Sequence, residues 1–336
     1  MSFDIWNRNY TGSKLKLIDW IDELIEQNCK GHSFCDIFAG TGTVTLKEIQ
    51  KFDHIVINDF LYSNNIIYNA FFLQEDYDLL KLQNFIEKIT KNPIENIQDN
   101  FFSINYGEKY FSYNDCKRIG NIRNYIDKEK NKFNKKEYCI LIASLLYSAD
   151  KIANTVGHYD AYKKGKKLED KFVFGFVKPY TFRDKTIEIY RCDSNELAKK
   201  INCDIVYIDP PYNSRQYSRF YHILETLTKW DNPQLAGVAL KPPQENMSSY
   251  CTISAKNVFN DLISSLRCSY IIVSYNNTYN SKSKSSKNKI EYEEIINSLQ
   301  NRGEVKIYSK KHHFFNAGKT DFKDHKEFLF ITKVEK

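Results

Sequence analysis

The sequence has no apolar run of the roughly 18–20 residues that a membrane span needs, so no transmembrane helix is expected. It has no Cys-x-x-Cys pair. Its eight cysteines (Cys29, Cys35, Cys116, Cys139, Cys192, Cys203, Cys251 and Cys268) are scattered, which argues against a zinc ribbon or a disulfide scaffold and favours reduced thiols. No clustered set of His and Cys offers a ligand shell, so no metal is expected. The start, Met1-Ser2-Phe3-Asp4-Ile5-Trp6-Asn7-Arg8, lacks the basic-then-apolar pattern of a secretory signal. These absences together suggest a cytoplasmic protein with no membrane partner. Internal repeats are missing too. Low complexity is confined to Tyr275–Lys289, rich in Ser, Asn and Lys and without acid, which reads as a loop.

What is present is an ordinary globular composition, 42% hydrophobic and 27% charged over 336 residues, which excludes wholesale disorder. The length suggests one large α/β domain with an insertion, or two domains. Lys plus Arg number 49 against 42 Asp plus Glu, and the excess is unevenly placed. Lys117–Lys178 holds 15 basic and 7 acidic residues, whereas Phe71–Cys116 holds 4 and 8. A basic stretch of this kind suits a polyanion such as nucleic acid, and equally a solvated lysine-rich face.

Strand-like apolar runs fall in two groups. The first is Ser33–Phe38 and His54–Asn58. The second is Ile187–Tyr190, Asp204–Ile208, Tyr270–Ser274, Val305–Tyr308 and Glu327–Thr332. Alternation with helical patterns predicts a parallel sheet with crossover helices, one of them over Lys14–Gln27 with Leu15, Leu17, Ile18, Ile21, Leu24 and Ile25 on one face. The last two strands suit an antiparallel pair across Ser309–Lys326. Between the groups lies a mainly helical block, with Tyr138–Tyr147 as a buried helix. The expected division is a catalytic part at 1–70, an inserted helical region at 71–180 and a second catalytic part at 181–336.

Three motifs carry chemistry. In Asp36-Ile37-Phe38-Ala39-Gly40-Thr41-Gly42-Thr43-Val44, two glycines in a strand-to-helix turn let the backbone approach a ligand. Asp59 ends the second strand about 20 residues on, where an acid suits a ribose diol or serves as a helix cap. In Asp209-Pro210-Pro211-Tyr212, directly after an apolar strand, the prolines stop the ladder. A carboxylate (Asp209), a fixed carbonyl (Pro210) and an aromatic face (Tyr212) then sit together. That set matches an exocyclic amine on a planar base, with two N–H donors and a ring that stacks.

Tyr207-Ile-Asp-Pro-Pro-Tyr212, with Phe38-Ala-Gly-Thr-Gly42 and Asn9-Tyr10-Thr11-Gly12-Ser13-Lys14 ahead of it, resembles the motifs of S-adenosylmethionine-dependent DNA adenine-N6 methyltransferases. The motif order is similar to that of the Dam-like group, which includes restriction-modification methylases. The resemblance implies an α/β, Rossmann-like methyltransferase sheet, mostly parallel with an antiparallel C-terminal pair, carrying an inserted mainly helical domain. It implies S-adenosyl-L-methionine as cofactor, double-stranded DNA as substrate and a cognate restriction endonuclease as partner. Tyr10 and Lys14 would contact the methionine end, Lys14 pairing its carboxylate and Asp36 taking its amino group. Phe38, Gly40 and Gly42 would line the cofactor, Asp59 would hold the ribose, and Asp193 would accept from the cofactor's adenine. Asp209 and Pro210 would accept from N6 of an everted adenine stacked on Tyr212.

DNA contacts are expected from His158, Tyr159, Lys163, Lys164, Lys166 and Lys167 in the insertion, with Gly157–Tyr162 as a buttress being the alternative. Arg215 and Arg219 are expected near the DNA, while Tyr221, Leu224 and Leu227 should pack on the sheet. Alternative functions are methylation of cytosine N4, of an RNA base or of a protein amide, and a non-catalytic DNA-binding regulator. A nicotinamide-dependent oxidoreductase shares the glycine turn but leaves Asp-Pro-Pro-Tyr unexplained.

Overall fold

The computed structural model describes residues 1–165, 167–278, 287–311 and 325–335. It divides into two compact units, Met1–Thr11 with Leu61–Phe182 and Ser218–Glu245, and Gly12–Phe60 with Arg183–Tyr217 and Asn246–Lys336. No helix among the described residues is long and apolar enough to cross a membrane.

The second unit is built on seven strands, counted among the described residues: β1 (Ser33–Asp36), β2 (His54–Asn58), β3 (Thr186–Tyr190), β4 (Ile205–Ile208), β5 (Tyr270–Asn276), β6 (Gly303–Lys311) and β7 (Lys326–Val334). Their spatial order is β3-β2-β1-β4-β5-β7-β6. The first five are parallel, with Cys35 opposite both Val56 and Val206, Ile57 opposite Ile189, and Tyr207 opposite Ile272. β7 runs antiparallel between β5 and β6. The fold is therefore the anticipated mostly parallel α/β sheet with an antiparallel C-terminal pair.

Burial explains why these runs were readable. β1 and β4 are covered on both faces, so Phe34, Cys35, Ile205, Val206 and Ile208 are all buried, and a doubly covered strand reads as a continuous apolar run. The strand order reverses between β1 and β4. The segments leaving their carboxyl ends, 37–42 and 209–212, thus flank the crevice at which open α/β sheets bind ligands.

One helix starts later than its periodicity predicts. Residues 14–17 form a turn closed by the Leu17 N–H donating to the Lys14 carbonyl (2.8 Å), and the helix spans Ile18–Asn28. Leu15 lies exposed, while Ile21, Leu24 and Ile25 are buried. The turn leaves the Lys14 side chain inside the unit, 5% exposed.

The first unit is mainly helical, around Lys135–Ile152. Every residue from Cys139 to Asp150 in that helix is buried, the pattern of a helix with no solvent face. His222–Lys229 packs in this unit against Tyr62–Phe72 and Lys135–Ile152. Tyr221, Leu224 and Leu227 are buried as expected, but against helices rather than the sheet. Buried Arg123 caps that helix, donating to the Leu227 (2.7 Å) and Thr228 (3.1 Å) carbonyls.

Candidate active site

The turn after β1 has the backbone that its glycines allow. Gly40 and Gly42 have φ of +53° and +74°, in the left-handed region open to residues without a Cβ. The Gly40 N–H donates to Asp59 Oδ2 (3.0 Å), which fixes the turn to the end of β2. Phe38 meets Tyr250 edge-on at 5.1 Å. Asn58, last in β2, is buried and donates to the Ile37 and Cys192 carbonyls (both 3.1 Å), while its Oδ1 accepts from Cys192 N–H. It ties together the ends of three neighbouring strands. Nothing in its sequence context distinguishes it from a turn asparagine.

Asp36 is 1% exposed. Its Oδ2 accepts from the Thr45 hydroxyl (2.8 Å), and its Oδ1 has no hydrogen-bond partner among the described residues. Burial pushes its carboxyl up to about 7, against the Thr45 hydrogen bond, with the Asp209 and Asp59 charges adding to the rise. Asp193 caps the helix Ser194–Ala198, accepting from the Asn195 (2.9 Å) and Glu196 (3.3 Å) N–H groups.

The Asp-Pro-Pro-Tyr turn leaves β4 and meets Lys14. The Lys14 ammonium lies 2.8 Å from both Asp209 oxygens, 2.5 Å from the Tyr212 hydroxyl and 3.3 Å from Glu327 Oε1. Tyr212 donates its hydroxyl to Asp209 Oδ1 and has Glu327 Oε1 at 3.1 Å as an alternative acceptor. Ser274 on β5 donates to the same Glu327 oxygen (2.8 Å). The Tyr212 ring packs edge-on against Tyr275 at 4.7 Å. No described residue donates to the Pro210 carbonyl. Two carboxylates thus share one cation and one phenol at the carboxyl edge of the sheet.

The electrostatics follow from that arrangement. Burial pulls the Lys14 ammonium down, but the charges and hydrogen bonds of Asp209 and Glu327 outweigh it and hold it above its ordinary value. Burial pushes Asp209 up; Lys14 pulls it down and Glu327 pushes it further up, leaving it above the usual carboxylate range. Burial, and then the Asp209 and Glu327 charges, raise the Tyr212 phenol well above its ordinary value.

Lys14, expected at the methionine end of the cofactor, directs its ammonium at Asp209, Tyr212 and Glu327. Glu327 was not anticipated as a site residue. The available signal was strand parity, since Glu327 alternates with Leu329 and Ile331, both buried.

In the helical unit, Tyr10 stacks on Tyr221 at 4.8 Å and accepts from Asn64. His158 stacks on Phe220 at 4.4 Å. Tyr159 is buried with its hydroxyl on Asp150 (2.8 Å), so it is a core tyrosine, and the expectation that it reads base edges is corrected. Asp160 pairs with Lys241. Lys163, Lys164 and Lys167 are exposed, and Lys166 lies outside the described residues. Arg219 donates to the Pro242 carbonyl. In the sheet unit, the Arg215 N–H donates to Asn213 Oδ1. Among the described residues no group of three or more His, Cys, Asp or Glu is placed to hold a metal ion.

Comparison with known proteins bears on this geometry. The sequence pattern of the D12 class N6 adenine-specific DNA methyltransferase family matches residues 10–280, which takes in the glycine turn and the Asp-Pro-Pro-Tyr turn and leaves Glu327 outside. The chain is 31% identical over 337 residues to the type II methyltransferase M.NlaIII of Neisseria lactamica, covering 95% of each. It is 31% identical over 340 residues to the type II methyltransferase M.CviAII of Paramecium bursaria Chlorella virus 1, covering 97% of this chain and 98% of the other. It is 34% identical over 329 residues to the type II methyltransferase M.FokI of Planomicrobium okeanokoites, covering 89% of this chain but 48% of that one.

Proposed function

The chain belongs to the D12 class N6 adenine-specific DNA methyltransferases, and from that premise we propose how its residues divide the work. The observation that carries the reading is the Asp209 carboxylate, clamped by Lys14 beside the Tyr212 ring where β4 ends.

A target adenine is stacked inside a duplex and has to be everted before its amine can be reached. Asp209 and the Pro210 carbonyl accept the two N6–H bonds. These bonds localise the nitrogen lone pair and stabilise the positive charge that grows on nitrogen. Tyr212 gives the base a face to stack on. Lys14 orients Asp209 from behind. The work of the chain is orientation and electrostatics, so none of the cysteines is needed as a nucleophile.

S-adenosylmethionine, when bound, supplies an electrophilic methyl group on a sulfonium. The unpartnered Oδ1 of buried Asp36 fits the ammonium of its methionine end, an ion pair that would satisfy an otherwise orphaned oxygen. Gly40 and Gly42 keep side chains out of the turn, Phe38 adds an apolar wall, and Asp59 suits the ribose diol. Tyr10 and Asp193 remain proposed for the methionine and adenine ends. Lys163, Lys164, Lys166, Lys167, Arg215 and Arg219 are proposed to meet DNA phosphates, and His158 to lie near the bases. By analogy with its type II relatives, the chain is proposed to act in a restriction-modification system with a cognate endonuclease.

Incubating the protein with S-adenosylmethionine and duplex DNA, then digesting to nucleosides for mass spectrometry, tests the reading. N6-methyl-2′-deoxyadenosine is expected; N4-methyl-2′-deoxycytidine, or methylation only of RNA in a parallel incubation, would overturn it.

Asp36 adds a pH dependence. Only its ionised form attracts an ammonium, and its carboxyl sits at about 7. Calorimetric affinity for the cofactor should therefore strengthen as pH rises from about 6 to about 7.5, below the titration of an α-amino group. Asp36→Asn should bind more weakly and lose that slope. A slope retained in the variant would exclude Asp36 from the cofactor's ammonium.

A further inference from the structure

The site holds one more carboxylate than amine recognition needs. Lys14 is already paired by Asp209, and burying a second acid beside the first adds both desolvation and repulsion. Glu327 is 3% exposed and is fixed by β7, whose alternation turns it inward with Leu329 and Ile331. Its Oε1 sits within reach of three donors: Ser274 (2.8 Å), Tyr212 (3.1 Å) and Lys14 (3.3 Å). The Tyr212 hydroxyl has a single proton but two carboxylates to choose from, and in this structure Asp209 has it. That choice competes with catalysis, because the phenol occupies one of the two Asp209 oxygens open to a substrate amine and holds its ring to the acid.

We infer that Glu327 is a positioning residue that receives the Tyr212 hydroxyl and a share of the Lys14 ammonium when the substrate amine takes Asp209. The inference rests on the reading of Asp209 as the amine acceptor. With Glu327 in place, the phenol exchanges one charged acceptor for another. Without it, releasing Asp209 would leave the buried hydroxyl's proton without an acceptor, so the phenol would stay and compete with the amine.

The test uses full-length protein carrying Glu327→Gln, alone and combined with Tyr212→Phe. Glu327→Gln should lower kcat by about 10- to 100-fold while KM for DNA and for cofactor stays within about threefold, the mark of an interaction used at the chemical step. In the Tyr212→Phe background there is no hydroxyl to receive, so the same substitution should cost no more than about threefold. The acid limb of the kcat profile gives an independent signature. The groups facing Asp209 are Lys14, Glu327, Tyr212, Tyr207 and Asp36. Removing the Glu327 charge removes one of the influences that raise Asp209, so the limb should move to lower pH although the rate falls.

An undiminished kcat, a loss equal in both backgrounds, or an unmoved acid limb would each overturn the inference. Should the Gln variant not fold, Glu327→Asp carries the test, since it withdraws the acceptor by one methylene and its loss should again shrink in the Tyr212→Phe background. A loss that persists there overturns the proposal. Wild-type protein that leaves adenine N6 unmethylated would bring down the underlying reading as well. An active wild type beside a full-rate Glu327→Gln variant overturns this inference alone.

Discussion

Asp209→Ala protein is expected to bind DNA but to turn over at least about 10³-fold more slowly, a loss of about 4 kcal/mol at the transition state. The substitution removes the charged acceptor that localises the N6 lone pair and leaves the Pro210 carbonyl as the remaining one. It should not unfold the unit, because Lys14 keeps Glu327 as a partner at 3.3 Å. Asp209→Asn is the sharper variant. It keeps the shape and one acceptor oxygen but replaces the other with an amide that donates, facing both the Lys14 ammonium and the incoming amine. Its rate should lie near that of the Ala variant rather than midway to wild type. Single-turnover methyl transfer, with gel-shift binding as the control, separates the two effects. Methylation by either variant at the wild-type rate would remove Asp209 from the chemistry.

The parts of the protein that were legible in the sequence share a physical cause. Strands buried on both faces are mostly apolar, so β2 and β4 announce themselves as runs such as residues 55–57 and Ile205–Ile208. The Asp-Pro-Pro-Tyr turn is equally visible, because two prolines cannot sit in a central ladder. Both signals are local. What could not be read is set by contacts between distant parts of the chain. Lys14 is visible as part of the N-terminal motif, but its pairing with Asp209, 195 residues away, depends on the turn at 14–17 that sends it inward. Glu327 opens an apolar strand, where an acid ordinarily marks the solvated end, and its burial depends on β7 lying between β5 and β6.

Tyr159 shows the opposite error. Its setting in Gly157-His158-Tyr159-Asp160 suggests an exposed loop, yet the tyrosine is 1% exposed and bonded to Asp150, while exposed Lys163 and Lys164 follow within five residues. Charge alone could not separate the buried half of that segment from the solvated half. The functional motifs were thus visible where backbone chemistry is constrained, and hidden where a polar side chain serves a partner far away in the chain.

Lys14→Ala is expected to have the largest effect on stability. The ammonium is buried between Asp209 and Glu327, and removing it leaves two acids facing each other without a cation. Breaking a buried ion pair from one side costs about 3–5 kcal/mol, because the remaining charge keeps its desolvation penalty and loses its attraction. Thermal melting of the purified variant at pH 7.5 should therefore show a clear drop for the sheet unit. The deficit should shrink towards pH 5. Asp209 is already held above the usual carboxylate range, and loss of the neighbouring cation raises it further, so the folded variant binds a proton more readily than the unfolded chain and gains stability as pH falls. A surface lysine would show neither the drop nor this pH trend. Combining Lys14→Ala with Glu327→Gln isolates the electrostatic part. The pair loses one positive and one negative charge together, so the double variant should melt above Lys14→Ala alone, an ordering that simple loss of packing would reverse. If Lys14→Ala melts with the wild type at pH 7.5, the buried cluster does not form in solution, and the orientation of Asp209 would need another source.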